Sequence, residues 1–485
     1  MTSMDSSPPS GKAEGDISDT FASLSGRKAP PLPDRFRKLK LRLVNGHEGA
    51  VIASWERLLA ILRKENELIA QTGPAIIPEV RFSHLHQDLA SNKQEIKKRG
   101  VAVIRGVIPE DEARAYKFEI AEYARQNPQT RGFPPTAPQV LELYWSAPQI
   151  RARSHPSLLQ AQAALMTTLW HAPSPHCPIS LRTPLAYADR LRIRQPGDAQ
   201  FALGPHQDGG SVEQWEERGY GRGAVYDAVF RGQWERGYDA FDAGGRMAAV
   251  TDLYGGLGAC SMFRMFQGWL AMSRSGPGEG TLLVNPLVRE SGVYALLRPF
   301  FRAVKGVGEV GERGFLEGGN WVFTGGSEMG SELHGAMPGY AQEFPGGMHP
   351  HLELGRTMVN VPEVRPGDYV VWHCDNECAI HAVDKTHAGK SDSSVLYIPV
   401  CPTTETSARY VVRQREAFRQ GTPGPDFPGG EGESRHIGRA TEEYARKHSN
   451  PVGLQAMGLD KLAIADSETP GAKEALERAN AVLGI

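Results

Sequence analysis

The sequence predicts a mainly β fold, an antiparallel sandwich or jelly roll, with helices added before and after it. From about residue 186, short β-branched and aromatic runs follow one another, separated by Gly/Pro turns rather than by regular amphipathic helices. The chain also contains 54 Gly and 35 Pro among 485 residues, about 18% against a usual ~12%. Because this excess has no repeating period, it indicates many turns and long loops.

The N-terminal third is predicted to be helical, after a tail over residues 1–35 whose Ser, Pro, Gly and Lys content favours disorder. The first helix shows apolar residues at helical spacing and stops before Gly73-Pro74. Another helix begins at Pro109, where three acidic residues follow and complement the helix dipole. In order, the predicted elements are helices over 48–72 and 91–98, a strand over 100–107, and helices over 109–126 and 157–170.

The β-rich part is predicted to extend to about residue 410. Its strand-like runs are DRLRIRQPGD, MAAVTDLY, SMFRMFQGWLAMS, GTLLVNPLV, TMVNVPEV, DYVVWHC and SVLYIPVCP. A helix over 292–304 interrupts them, and the Gly-rich stretch 305–356 has no clear pattern. Helical sequence returns after residue 409, most clearly over 441–447 and 472–482.

These patterns divide the chain into four regions. We expect a disordered tail (1–35), a helical N-terminal region with one strand that joins the core (36–180), a β core (181–410) and a C-terminal helical extension (411–485).

Composition excludes several classes of protein. The 54 basic and 56 acidic residues give a formal net charge of −2, which offers no overall field for binding nucleic acid or an anionic membrane. Five scattered cysteines are too few for a disulfide framework. The N-terminus has no apolar signal region, and no run approaches 18 apolar residues. We therefore expect a reduced, soluble, cytoplasmic protein with neither nucleic acid nor membrane as a partner.

A His-x-Asp motif is a candidate for metal binding, since residues i and i+2 of a strand point the same way. A non-haem iron site uses two imidazoles and one carboxylate. The chain has three such motifs: His86/Asp88, His206/Asp208 and His373/Asp375. The first lies outside the β-rich region and the third ends a strand, whereas His206/Asp208 follows a strand and precedes two glycines that leave room beside it. We predict His206 and Asp208 as ligands.

The third ligand must come from a distant strand. The turn at 366–368, the apolar strand after it, a polar loop and then His381 form the order in which a jelly roll returns a second imidazole to the first pair. His373, at the end of that strand, is a rival third ligand or a neighbour of the metal. His373, Cys374, Cys378 and His381 could alternatively bind zinc, although Cys-x-x-x-Cys lacks a second pair at structural-site spacing.

Taken together, the motifs resemble those of a known family. The runs GVAVIRGVIPEDEA, LRIRQPGD, GPHQDGGSVEQW, FRMFQGWLAMS, PGEGTLLVNPL, LLRPFF, RPGDYVVWHCD, IHAV and LYIPVCP occur in order over roughly residues 90–410. In these runs the chain resembles the DUF1479 family, found in bacteria and widely in fungi. That family is similar to the iron(II)/2-oxoglutarate-dependent oxygenases of the double-stranded β-helix (cupin-like, clavaminate synthase-like) superfamily.

The resemblance implies a double-stranded β-helix, or jelly roll, as catalytic core over 181–410, buttressed by the N- and C-terminal helices. It implies iron(II) on His206, Asp208 and His381, with 2-oxoglutarate as cosubstrate and O₂ as oxidant. The expected reaction oxidises a C–H bond of a small molecule by hydroxylation, desaturation or cyclisation, with succinate and CO₂ as coproducts. Some similar fungal enzymes act on free amino acids, including valine that is cyclised to an aziridine. The alternative is a non-oxidative cupin-like isomerase or a metal-dependent ligand-binding protein.

The anchor for the distal carboxylate of 2-oxoglutarate departs from the family pattern. Many relatives place an Arg ten to fifteen residues after the distal His, but here that window contains no Arg, only Lys390 at its edge. A buried carboxylate requires a cation, and Arg binds it best with its planar fork. We therefore expect Arg264 as the anchor, then Arg194 or Lys390, with Thr281 as an additional hydroxyl donor.

Overall fold

The computed structural model describes residues 12–25, 30–198, 202–208, 210–257, 259–373, 381–383 and 387–485; of residues 381 and 383 it describes the backbone alone. The helices are α1 (Asp34–Val44), α2 (Glu48–Thr72), α3 (Leu85–Arg99), α4 (Glu110–Gln126), α5 (Ala147–Arg153), α6 (Pro156–Leu169), α7 (Asp227–Phe230), α8 (Trp234–Gly237), α9 (Val288–Leu297), α10 (Val307–Phe315), α11 (Leu354–Thr357), α12 (Glu405–Gln420), α13 (Glu442–His448), α14 (Pro451–Ala456) and α15 (Pro470–Leu483).

The strands are β1 (Glu79–Arg81), β2 (Val101–Arg105), β3 (Gly132–Phe133), β4 (Val140–Leu141), β5 (Ser180–Leu185), β6 (Leu191–Arg194), β7 (His206–Gln207), β8 (Phe266–Ala271), β9 (Leu282–Val284), β10 (Phe301–Ala303), β11 (Trp321–Phe323), β12 (Gln342–Glu343), β13 (Val359–Asn360), β14 (Tyr369–His373), β15 (His381–Val383), β16 (Ser393–Tyr397) and β17 (Cys401–Thr403).

Two sheets organise the structure. The larger has eight strands in the order β1-β2-β14-β8-β16-β6-β4-β3, antiparallel except for the parallel pair β1-β2. The smaller has five strands in the order β12-β7-β15-β9-β13, all antiparallel. Strands β8 and β14 are buried along their whole length at the centre of the larger sheet. Residues of both sheets line one cavity, described below.

The fold is mixed α/β rather than mainly β. Among the described residues, 43% are helical, short 3₁₀ turns included, and 14% are in strands or bridges. The sequence predicted the helices over 48–72 and 109–126 correctly, as α2 and α4. The predicted helix over 292–304 is instead α9, which ends at Leu297, because Pro299 cannot continue the hydrogen-bonding pattern.

Helix α9 is buried on all sides, so its sequence lacks the amphipathic period that marks a surface helix. It packs against α2, where the rings of Trp55 and Tyr294 stack with centroids 5.4 Å apart. In the described part of the chain, no helix combines the length and apolar character needed to cross a bilayer.

The N-terminal residues 12–25 lie against the rest of the protein, although the sequence predicted a disordered tail over 1–35. Asp16 caps a short 3₁₀ turn over Ile17–Thr20, and Phe21 is only 4% exposed. This order depends on partners from residues more than 200 positions away, such as Asp252 and Glu343. Composition alone could not predict those contacts.

Candidate functional site

A cavity of about 140 Å³ lies between the two sheets. The smaller sheet contributes His206 and Leu282, and the larger contributes residues of β4, β6, β8, β14 and β16. The remaining wall comes from loops and from the N-terminal segment. The described residues that line it include Ile17, Thr20, Phe21, Val140, Tyr187, Asp189, Arg190, Arg192, Leu203, His206, Asp208, Arg264, Gln267, Trp269, Ser275, Gly280, Thr281, Leu282, Trp372, Ser393, Val395, Tyr397 and Phe427.

His206 and Asp208 lie together at this cavity, as their spacing predicted. The Nδ1 atom of His206 is 2.6 Å from the carbonyl oxygen of Gly204. Because a carbonyl only accepts, Nδ1 carries the proton, and in the neutral ring Nε2 then presents its lone pair. This Nε2 atom is 3.6 Å from Oδ1 of Asp208. A nitrogen lone pair and a carboxylate oxygen therefore face the same small space.

The second oxygen of Asp208 is held by the larger sheet. Nε2 of Gln267, on β8, donates to Oδ2 of Asp208 at 2.9 Å. Hydrogen bonds of this kind fix the orientation of metal-binding carboxylates and histidines. The donor set at His206 and Asp208, with an outer partner for each, therefore fits a metal that prefers nitrogen and oxygen ligands.

The backbone brings His381 directly opposite His206. Strand β15 pairs with β7 in antiparallel register, with His381 as the partner of His206. Directly paired residues in such a ladder lie on the same face of the sheet. Among the side chains that the structure describes, no three His, Cys, Asp or Glu residues form a group able to hold a metal.

His373 does not lie at the cavity. Along β14, Trp372 lines the cavity, and the next residue points to the opposite face of the sheet. There His373 stacks on Trp170 with ring centroids 4.8 Å apart, and its Nε2 is 2.9 Å from the carbonyl oxygen of Ala240. Burial in this aromatic cluster holds the pKa of His373 well below its usual range. The prediction that His373 lies next to the metal is wrong, because the alternation of β14 places its imidazole on the face of the sheet that points away from the cavity.

The other sequence motifs divide in the same way. His86 is exposed on α3, while Asp88 is buried and forms an ion pair with Arg81 at 2.8 Å, and neither residue is among those lining the cavity. Asp375, Cys374 and Cys378 lie outside the described residues, and so does the proposed zinc group that includes them.

Two of the predicted cosubstrate anchors line the cavity. Arg264 is 6% exposed, and its guanidinium lies 5.7 Å from the ring centre of Tyr187. Thr281 is buried, and its hydroxyl accepts a hydrogen bond from the amide of Asn360 at 2.9 Å. Arg264 precedes β8 instead of lying within it, which places it at the end of the sheet beside the loop residues.

The other two predicted anchors are placed differently. Arg194 is fully buried on β6, and its Nε donates to Asp198 at 2.7 Å. It lies behind the cavity wall at Gly280, where an added Cβ would be 2.7 Å from Nη1 of Arg194. Lys390 is exposed in a loop. Lys390 lies in a polar loop and stays in contact with solvent. Arg194 can be buried because Asp198 compensates its charge.

Three charged residues besides the predicted ligands and anchors line the cavity. Arg192 lines the cavity, and its Nη2 donates to Gln139 at 3.0 Å. Asp189 and Arg190 also line it, with Arg190 Nε 3.4 Å from Asp189 Oδ1. Arg192 and Arg194 are two positions apart on β6, so alternation predicts that both point to the same face of the sheet. Alternation does not show that Gly280, just before β9, separates Arg194 from the cavity while Arg192 remains at its wall.

Comparisons with known proteins agree with the motifs. A Gig2-like family model matches residues 30–459. The chain is 30% identical over 409 residues to the protein YbiU of Escherichia coli strain K12, which covers 81% of this chain and 88% of YbiU. The crystal structure of GIG2 (GlcNAc Inducible Gene 2, DUF1479) from Candida albicans is 30% identical with a TM-score of 0.80, covering 94% of this chain and 96% of that chain. The protein therefore belongs to the Gig2-like (DUF1479) family.

Proposed function

We propose that the protein is an iron(II)/2-oxoglutarate-dependent oxygenase that oxidises a C–H bond of a small molecule. The observation that supports this most directly is the pair His206 and Asp208, whose donor atoms face one space inside the cavity. The two sheets around that cavity are, in this proposal, the walls of a double-stranded β-helix. The family motifs support the same assignment.

His206, Asp208 and His381 would hold the iron. His381 is proposed from its backbone register opposite His206. Bound iron(II) would supply the coordination positions at which 2-oxoglutarate and O₂ meet. The carbonyl of Gly204 keeps the proton on Nδ1 of His206, so that Nε2 is available as a ligand. Gln267 holds Asp208 in one orientation.

Arg264 is the proposed anchor for the distal carboxylate of 2-oxoglutarate, with Thr281 as a neighbouring donor. Both line the same cavity as His206 and Asp208. Arg192 lines it too and is the alternative cation. In a buried site, a guanidinium stabilises a carboxylate strongly because the pair is shielded from water. Arg194 and Lys390 are no longer preferred, because one lies behind the wall and the other is exposed.

The substrate is proposed to be small, in keeping with a cavity of about 140 Å³. Hydroxylation, desaturation and ring closure all begin with oxidation of a C–H bond, so the ligand set is compatible with each. A free amino acid such as valine, cyclised to an aziridine, is one specific candidate. A screen of small metabolites, scored by succinate release, would identify the substrate.

Anaerobic titration with iron(II) and 2-oxoglutarate tests the proposal. We expect a weak visible charge-transfer band, because bidentate chelation joins an electron-rich metal to a keto acid. The control omits 2-oxoglutarate and should show no band. If iron binds and no band forms with 2-oxoglutarate, the proposed oxygenase activity is contradicted. The alternative, a non-oxidative metalloprotein, would then be favoured.

We predict that His381→Ala loses iron as completely as His206→Ala, while His373→Ala keeps its iron stoichiometry. His373 is buried among aromatic rings behind the sheet, so its loss leaves a cavity and lowers stability by about 2–4 kcal/mol instead. Iron content per folded protein and the melting temperature separate the two effects. Loss of iron from His373→Ala with retention in His381→Ala would reverse the assignment.

A further inference from the structure

The N-terminal segment, residues 12–25, forms part of the cavity wall. Ile17, Thr20 and Phe21 all line the cavity beside His206. The family model matches residues 30–459, so this segment precedes the matched region. A wall contributed from outside the matched region can make the cavity of this chain differ from those of its relatives.

One end of the segment is held by a lysine. Nζ of Lys12 forms an ion pair with Asp252 at 3.0 Å and also donates to the carbonyl oxygens of Gly256 at 2.6 Å and Ala259 at 2.8 Å. These three groups satisfy the three donors of an ammonium group. The first residues of the segment are therefore fixed on the loop that precedes β8.

The other end is held beside β7. The backbone N–H of Ser23 donates to Glu343 at 3.0 Å, and the carbonyl of Thr20 accepts from the N–H of Ala341 at 2.9 Å. Glu343 is the direct partner of His206 in the ladder between β12 and β7. The segment thus passes across the cavity between two separate attachment points, with Phe21 next to the second.

Phe21 contacts one of the proposed metal ligands directly. Its ring is edge-on to the imidazole of His206, with centroids 4.8 Å apart and planes at 82°, and only 4% of the residue is exposed. A buried phenyl ring offers no hydrogen bond to a ligand. The part of a ligand that lies beside it is therefore favoured to be hydrocarbon.

Another part of the cavity wall is charged. Arg190 and Arg192 line it together with Asp189, in addition to Arg264, which is assigned to the cosubstrate. In the larger sheet, β16 lies between β6, which contains Arg192, and β8, which contains Gln267. At about 4.8 Å between neighbouring strands, these two residues lie on strands roughly 10 Å apart. A small ligand with an anionic end and a hydrocarbon end would match both parts.

We propose that Phe21 is a specificity-determining residue, through which residues 12–25 select small carboxylates by the length of the hydrocarbon portion beside His206. This rests on the proposed function in one respect, namely that His206 marks the reacting centre. The selection itself is a property of the cavity shape, and it can be measured without iron or turnover.

The test is calorimetric binding of linear monocarboxylates, from propionate to octanoate, to the full-length protein without added iron. We expect Phe21→Ala to move the tightest-binding ligand to a chain about two carbons longer, since the removed ring leaves apolar space. Each additional buried methylene contributes about 0.8 kcal/mol, so affinity for the longer chains should rise about tenfold relative to propionate. Phe21→Leu should give an intermediate profile and guards against a folding defect.

Two further variants complete the experiment. Leu24→Ala is the matched control, because Leu24 belongs to the same segment but is 38% exposed and is not among the described residues lining the cavity. It should keep the wild-type profile. Lys12→Ala should weaken binding at every chain length and should accelerate chymotrypsin cleavage after Phe21, because one attachment of the segment is lost.

An unchanged chain-length profile in folded Phe21→Ala would overturn the proposal, and so would the same shift in Leu24→Ala. If the wild-type protein binds none of the monocarboxylates, the proposal that its ligands are small carboxylates would be overturned. None of these outcomes depends on iron, so they differ from failure of the proposed function, which is the absence of the iron(II)–2-oxoglutarate band.

Discussion

His206→Ala and Asp208→Ala should each lower the rate of succinate formation more than about 10³-fold. This loss corresponds to ~4 kcal/mol of transition-state stabilisation. Each change removes one of three proposed protein ligands. Both residues lie at the cavity, with Nε2 of His206 3.6 Å from Oδ1 of Asp208. Iron content and succinate release, measured on the same preparations, check the result.

The fold should survive these substitutions, because the sheets are stabilised by an extended hydrophobic core and not by the metal. We expect the melting temperature of the iron-free variants to stay within about 4 °C of the wild type. His176→Ala, at an exposed histidine, is the matched control and should retain full activity. Assays should be free of chloride, which could replace the carboxylate in Asp208→Ala. Near-normal succinate formation by either variant would disprove the ligand assignment.

Arg264→Ala should raise the KM for 2-oxoglutarate by about 10- to 1000-fold, a loss of roughly 1.4–4 kcal/mol, while iron binding stays normal. The physical reason is that a buried distal carboxylate without its guanidinium partner keeps its desolvation cost and loses the compensating ion pair. Steady-state kinetics with varied 2-oxoglutarate, together with iron content, measure the two properties separately.

Lys390→Ala is the control for charge removal, since this lysine is exposed and should leave the KM unchanged. Arg192→Ala distinguishes the two cavity arginines. Should folded, iron-loaded Arg264→Ala keep its KM while Arg192→Ala raises it, Arg192 would be the anchor. Arg194→Ala should instead lower stability, because it removes the 2.7 Å ion pair between the buried Arg194 and Asp198.

Local patterns in the sequence predicted local features correctly. The spacing of apolar residues over 48–72 specified helix α2, because helical periodicity depends only on neighbours along the chain. The i, i+2 spacing of His206 and Asp208 likewise placed both at one cavity. The motifs indicated the DUF1479 family, and the Gig2-like family model and the GIG2 (DUF1479) structure confirm it.

Other features were decided by contacts between distant parts of the chain. Strand alternation alone allowed either face of β14 to meet the cavity, and pairing with β2 and β8 placed Trp372 there and His373 behind the sheet. Similarly, Arg194 was removed from the cavity by Asp198 and by the close approach of Gly280. Burial of a charged side chain depends on its partners, and sequence spacing does not identify them.

The N-terminal segment, residues 12–25, shows most clearly the difference between what local sequence predicts and what distant contacts decide. Its composition by itself indicated disorder, because it contains too little apolar surface to form a core of its own. Lys12 nevertheless forms an ion pair with Asp252, and the backbone N–H of Ser23 donates to Glu343. Phe21 is buried beside His206. The sequence thus determined the motif, the family and the longer helices, since these depend on residues close together in the chain. Only the tertiary structure decided which residues surround the cavity, because the free energy that buries Phe21 comes from surfaces that the rest of the chain must first assemble.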